Sequence, residues 1–226
     1  MGYFIIAGVM TVIGMLVSNR LKSKFAKYKQ VPLSAGLTGA EVAERMLQHY
    51  NVSNVQITQG QGVLTDHYNP VTRVVKLSPD IYGGRSVMAA AVAAHEVGHA
   101  VQHSTAYPWL KTRSAIVPFV NMASTAQSFL LMFAIGVTAN TGNNWILLIT
   151  IITFMVTAAF AFVTLPVEFD ASKRALAWLS ETNMTNGAEY EGAKDALWWA
   201  AMTYVVKALS SLAMVLYLLM RYGNRR

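Results

Sequence analysis

A chain of 226 residues that is 54% hydrophobic and only 13% charged falls well short of the roughly 25% charged residues of a soluble domain. Part of it is therefore expected to sit in lipid. The net charge is +7, but the basic residues cluster beside apolar runs, a positive-inside pattern rather than the basic face of a soluble nucleic-acid-binding fold. Cysteine is absent, which excludes disulfides and thiolate metal sites and leaves His, Asp and Glu as zinc donors.

The first apolar run, Tyr3 to Val17, has no Lys or Arg before it and Arg20, Lys22, Lys24, Lys27 and Lys29 after it. That order is the reverse of a cleaved signal peptide. Residues 1–19 therefore read as a retained membrane anchor with its N-terminus outside. Residues 20–115 carry the signals of a soluble α+β insert. Thr38 and Glu41 stand at capping-box spacing, and Val42, Met46, Leu47 and Tyr50 form the apolar stripe of an amphipathic helix. Asn54–Ile57 and Val74–Leu77 read as short strands, and Asn69-Pro70 is a turn signal that makes "GVLTDHYNPVTRVVKL" a hairpin-like pair. Ser78-Pro79-Asp80 opens a short turn broken at Gly83-Gly84, and Ser86 can cap a helix that continues as far as Gln102.

Beyond the insert, residues 116–166 read as a hairpin of two spans. Ile116–Ala139 carries Asn121, Ser124, Thr125, Gln127 and Ser128, polar side chains expected to face other helices rather than lipid. Trp145–Leu165 is uncharged throughout, and Asn140–Asn144 is the turn between them. Residues 167–197 form a further helical segment, with a break or restart expected at Pro166. Residues 198–226 are a membrane-associated helix with a basic tail. Lys207 interrupts that helix, and a central charge costs about 2.5–3.5 kcal/mol on insertion. The larger basic cluster places the insert in the cytoplasm.

The helix of the insert carries His95-Glu96-Val97-Gly98-His99. Residues four apart share a helix face and lie about 6 Å apart along the axis, so His95 and His99 can present imidazole nitrogens to one zinc ion. Glu96, one step round, can take a proton from a zinc-bound water. Gly98 and the neighbouring alanines permit close approach. The competing reading is an Ala-rich core helix whose two histidines are merely satisfied; the position of the motif, in an apolar helix after a strand, weighs against it. His103 continues the series but lies about 12 Å from His95 along the axis, too far to share an ion.

The two-His-one-Glu zinc pattern needs a carboxylate. Glu168, in "LPVEFDASKRALAWL" just beyond the third span, is the candidate, against the competing role of a helix-terminal charge satisfying the macrodipole. Hydrolysis also needs a donor for the developing oxyanion. His67, Tyr68, Tyr107 and Tyr190 are candidates among which no spacing rule chooses. Val71–Leu77, ahead of the motif helix, could pair with a substrate backbone by strand addition.

Three stretches in order, "DHYNPVTRVVKLSPDIYGGRS", "AAHEVGHAVQH" and "LPVEFDASKRAL", resemble the bacterial membrane-bound neutral zinc metallopeptidases, the YugP-like family. The resemblance implies a mainly α fold of several membrane helices with a small zincin-like α+β insert. It implies Zn2+ at His95, His99 and Glu168, with Glu96 as the base. Such proteins look like distant relatives of the gluzincin membrane proteases, in which an acidic residue four places after the ligand glutamate orients a zinc histidine. Ser172 stands at that place here, on the face of Glu168, whereas Asp170 is turned by about 200°. Ser172, Asp170, Asp66 and Asp195 are the candidates for that orienting role.

The function expected is that of a zinc-dependent endopeptidase in the bacterial plasma membrane. It would act at the membrane surface on membrane or juxtamembrane proteins. Its partners are protein or peptide substrates and lipid, with other membrane proteins or a second copy of the chain as further classes. An intramembrane-cleaving protease would need the motif inside a full span, and the helix between Arg85 and His103 is too short. A non-catalytic scaffold with a retained zinc site is the rival of a different class. A transporter is disfavoured by the lack of paired repeats.

Overall fold

The computed structural model describes residues 2–136 and 145–223. The chain is mainly helical, with a small sheet: α1 (Gly2–Lys29), α2 (Gly39–His49), β1 (Gln56–Gln59), β2 (His67–Asn69), β3 (Val74–Leu77), α3 (Pro79–Tyr82), α4 (Val87–Ser104), α5 (Pro108–Gly136), α6 (Trp145–Glu181) and α7 (Ala188–Gly223). Among the described residues α1, α6 and α7 are long and apolar enough to cross a membrane. The last segment therefore has span length despite Lys207, within a helix of 36 residues. The turn expected at 140–144, and residues 137–139 of the second expected span, lie outside the described residues.

The residues divide into two compact units. One comprises 1–17, 112–165 and 203–226, the other 18–111 and 166–202. In the first, Leu147 and Ile151 of α6 pack with Met214 and Leu218 of α7, joined by Tyr3 and Ile6 of α1. Polar side chains pair between helices there as lipid demands: Gln127 donates from Nε2 to Thr157 Oγ1 at 3.4 Å.

In the second unit, Thr38 caps α2 in a full capping box with Glu41, and the helix lays Val42, Met46 and Leu47 onto the core. The sheet has the order β1-β3-β2. The antiparallel β2–β3 pair, with His67 opposite Lys76 and Asn69 opposite Val74, turns at Asn69, whose Oδ1 accepts from the amides of Val71 and Thr72. β1 runs parallel to β3 in the register Gln56–Val74, two residues later than the composition of Asn54–Ile57 indicates. β3 is thus hydrogen-bonded on both sides, and that corrects the expectation of strand addition there: its backbone groups are already paired.

Asp66 ends the sheet, accepting from Ser78 N at 2.7 Å and Ser78 Oγ at 3.2 Å. Ser86 caps α4, its oxygen accepting from Ala89 N. Nearly all of α4 is buried, from Val87 to Gln102, as expected of a helix apolar around its whole circumference. Val97 and Val101 join Trp178 and Leu179 of α6 in one core.

One feature departs from expectation. Pro166 lies inside α6 rather than at a break. Its ring removes one backbone donor, yet the helix continues on both sides.

Candidate metal centre

α4 sets the first two donors. One helical turn places the His95 and His99 rings edge to face, 4.8 Å between centroids. The third comes from α6, where Glu168 is only 2% exposed. Its Oε2 lies 3.4 Å from His95 Nε2 and 3.6 Å from His99 Nε2. The approach of the helices depends on Gly98, because a Cβ there would lie 2.7 Å from the carbonyl oxygen of Ala171.

These separations test whether the residues suit a metal. Four ligands arranged tetrahedrally at about 2.0–2.1 Å from zinc lie roughly 3.3 Å from one another. The Glu168 oxygen stands at nearly that distance from each imidazole nitrogen, and the three donor atoms lie within 4.8 Å of one another. Two imidazole nitrogens and one carboxylate oxygen are also the donor chemistry of zinc hydrolases, in which a fourth position stays open. The site fits the ion.

Glu96 is buried beside this set, 8% exposed. Burial lifts its carboxyl above the ordinary range, against the opposing pull of His95 and His99. For His99, burial disfavours the charged ring, but the Glu168 carboxylate, Glu96 and the Gln102 contact together outweigh it, so the net shift is upward.

Around the donors, Ser172 Oγ sits 3.1 Å from His95 Nδ1. Asp170 does not reach either histidine itself. It accepts from Gln102 Nε2 at 2.9 Å and from Arg174 Nε at 2.6 Å, and Gln102 Oε1 lies 3.0 Å from His99 Nδ1. Gln102 escaped the sequence reading, in which it served only as a helix boundary; its position three residues after His99 on a buried helix was the available signal.

The other candidates lie elsewhere. Asp66 holds Ser78, and Asp195 binds Lys24 and Tyr28 at 2.6 Å each. Tyr68 and His103 pair with each other at 2.8 Å. The exposed His67 ring contacts the carbonyl of Thr65. Tyr107 donates to the Pro166 carbonyl at 3.5 Å under the Arg174 guanidinium, and Tyr190 lines an apolar groove with Phe169 and Trp198.

A donor set that could hold a metal ion, in a chain with three membrane-length helices among the described residues, is the arrangement a membrane metalloprotein would present. The chain belongs to the family described as "Putative neutral zinc metallopeptidase", whose profile matches residues 3–223. It is 42% identical over 207 residues to the "Putative membrane protease YugP" of Bacillus subtilis (strain 168), an alignment covering 92% of this chain and 90% of that protein. No solved structure matches the chain.

Proposed function

We propose that this chain is a zinc-dependent endopeptidase that cleaves membrane or juxtamembrane proteins at the membrane surface. His95, His99 and Glu168 hold the ion, and Glu96 is the general base. The observation that carries the reading is the near-equal spacing of Glu168 Oε2 from the two imidazole nitrogens, 3.4 and 3.6 Å, matched to a tetrahedral zinc shell.

Zinc held there supplies Lewis-acid polarisation of the scissile carbonyl and of the attacking water. Glu96 takes the proton of that water as its oxygen bonds to the carbonyl carbon. It then delivers the proton to the amide nitrogen as the C–N bond breaks. Burial raises its proton affinity, which makes it a better base than an ordinary carboxylate for the first half of this exchange. His95 and His99 would bind the ion as neutral rings, with the Ser172 hydroxyl at Nδ1 of the first and the Gln102 amide at Nδ1 of the second. The basic residues from Arg20 to Lys29 support a cytoplasmic location for this unit.

The test is metal analysis of the purified chain together with cleavage of a peptide library, wild type against Glu96→Gln. Stoichiometric zinc in both proteins and cleavage by wild type alone is the expected result. Zinc-free wild type, or equal cleavage by the two, overturns the proposal.

A further inference from the structure

Gln102 is the most completely enclosed polar side chain beside the metal centre, 0% exposed. Its carboxamide is held at three points. Nε2 donates to the Val167 carbonyl at 2.7 Å and to the Asp170 carboxylate at 2.9 Å, which uses both hydrogens of the amide nitrogen. Oε1 faces His99 Nδ1 at 3.0 Å.

The orientation of a glutamine amide is ordinarily ambiguous, because its oxygen and nitrogen are nearly the same size. Here the partners settle it. A reversed amide would press Oε1 against a carbonyl oxygen and a carboxylate, both of which only accept. Oε1 must therefore point at His99, and it can only accept. It follows that Nδ1 of His99 carries the hydrogen and donates it. In the neutral ring Nε2 is then the unprotonated nitrogen, the one that faces Glu168 at 3.6 Å.

The rest of the chain of contacts reinforces that choice. Asp170 is fixed by Arg174 Nε at 2.6 Å, and the Arg174 guanidinium lies over the Tyr107 ring, 5.7 Å from its centroid. A carboxylate drawing on the amide hydrogens makes the amide oxygen a stronger acceptor. The same amide grips the carbonyl of Val167, whose peptide unit leads directly into Glu168. One side chain thus orients a histidine of α4 and the backbone behind the glutamate of α6. His95 lacks an equivalent, since the Ser172 hydroxyl at its Nδ1 can either donate or accept.

We infer that Gln102 is the positioning residue of the metal centre: its oriented amide fixes His99 in the tautomer that presents Nε2 to the ion and holds the Glu168 segment in register with it. This rests on the zinc assignment proposed above. The group touches neither substrate nor ion; it acts through His99 and Val167.

The experiment measures zinc affinity of the full-length chain in detergent, by competition with a chromophoric chelator, and the visible spectrum of the cobalt(II)-loaded protein. Thermal unfolding of the metal-free form is followed in parallel. Gln102→Met keeps the length and bulk of the side chain but neither donates nor accepts effectively. It is expected to lower zinc affinity about 10–100-fold, the usual cost of losing a partner behind a metal ligand, and to alter the cobalt ligand-field bands. Asp170→Asn, a milder change, releases the amide from its anionic anchor and is expected to give a smaller loss. It carries the test if Gln102→Met fails to fold.

A purely structural role would lower the unfolding temperature of the metal-free protein and leave the affinity and cobalt spectrum of the folded fraction unchanged. That result, in whichever of the two variants folds, overturns the inference. Failure of the zinc assignment itself would look different, because wild type would then bind no stoichiometric zinc.

Discussion

Gly98 and Ala171 are in backbone-to-backbone contact across α4 and α6, with only 2.7 Å between the position of a Cβ on Gly98 and the carbonyl oxygen of Ala171. A backbone oxygen cannot rotate aside as a side chain can. The glycine of the His-Glu-x-Gly-His run therefore sets the distance across which Glu168 meets the two histidines. Gly98→Ala must push the helices apart, and overpacking of this kind typically costs about 1–3 kcal/mol. Thermal unfolding is expected to fall accordingly and zinc affinity to fall with it; an alanine variant with wild-type zinc affinity would show that the spacing is not critical.

Replacing any one donor should abolish stoichiometric zinc. His95→Ala, His99→Ala and Glu168→Ala each leave two donors where zinc hydrolases use three. Metal content after purification without chelator, measured by elemental analysis, is the readout. Retention of one zinc per chain in Glu168→Ala would exclude α6 from the site.

Glu96→Gln separates binding from chemistry. The amide keeps the size of the side chain but cannot take a proton, so zinc content should be unchanged while peptide turnover falls by about 10²–10⁴-fold, the usual share of general acid–base catalysis. Activity within a few-fold of wild type would remove Glu96 from the mechanism.

The hydroxyl of Ser172 is 3.1 Å from His95 Nδ1, which leads to a graded expectation. Ser172→Ala should weaken zinc binding by about tenfold, at the mild end of losses behind a ligand. Competition with a chelator measures it, and Ser172→Thr should restore most of the affinity. An unchanged affinity in the alanine variant would make the contact incidental.

Chelation offers a fifth measurement. An ion bound only by the folded chain stabilises it by mass action, about 2.7 kcal/mol at a hundredfold excess over Kd. Removing zinc should lower the unfolding temperature of wild type and of Glu96→Gln alike, and leave His99→Ala where it was. Equal shifts in all three proteins would mean that the chelator acts elsewhere.

Much of the site is visible in the sequence because it is helical and local. His95 and His99 are one turn apart, and no tertiary information is needed to put them on one face. Glu168 is harder. A carboxylate beside an apolar run is conspicuous, but only packing brings its oxygen to 3.4 Å from His95. The sheet shows where local reasoning ends. The β2–β3 pair follows from its turn, whereas the parallel pairing of β1 has no local signal and leaves β3 without the free edge assigned to it. Gln102 illustrates a further limit, because a glutamine at the end of a motif resembles a solvent-facing residue until its three partners are known. Pro166 is the converse: a residue that ordinarily breaks helices is tolerated in the middle of α6.

The donors of α4 and α6 stand about seventy residues apart along the chain. An ion gripping both could bind only once that long stretch of chain had folded back on itself, so its binding free energy would add directly to the free energy of folding. The metal would then serve as a removable staple as well as a reagent. A newly made chain could not complete its site until the second helix had been synthesised and docked, so the protein would be inert as a hydrolase through much of its own assembly.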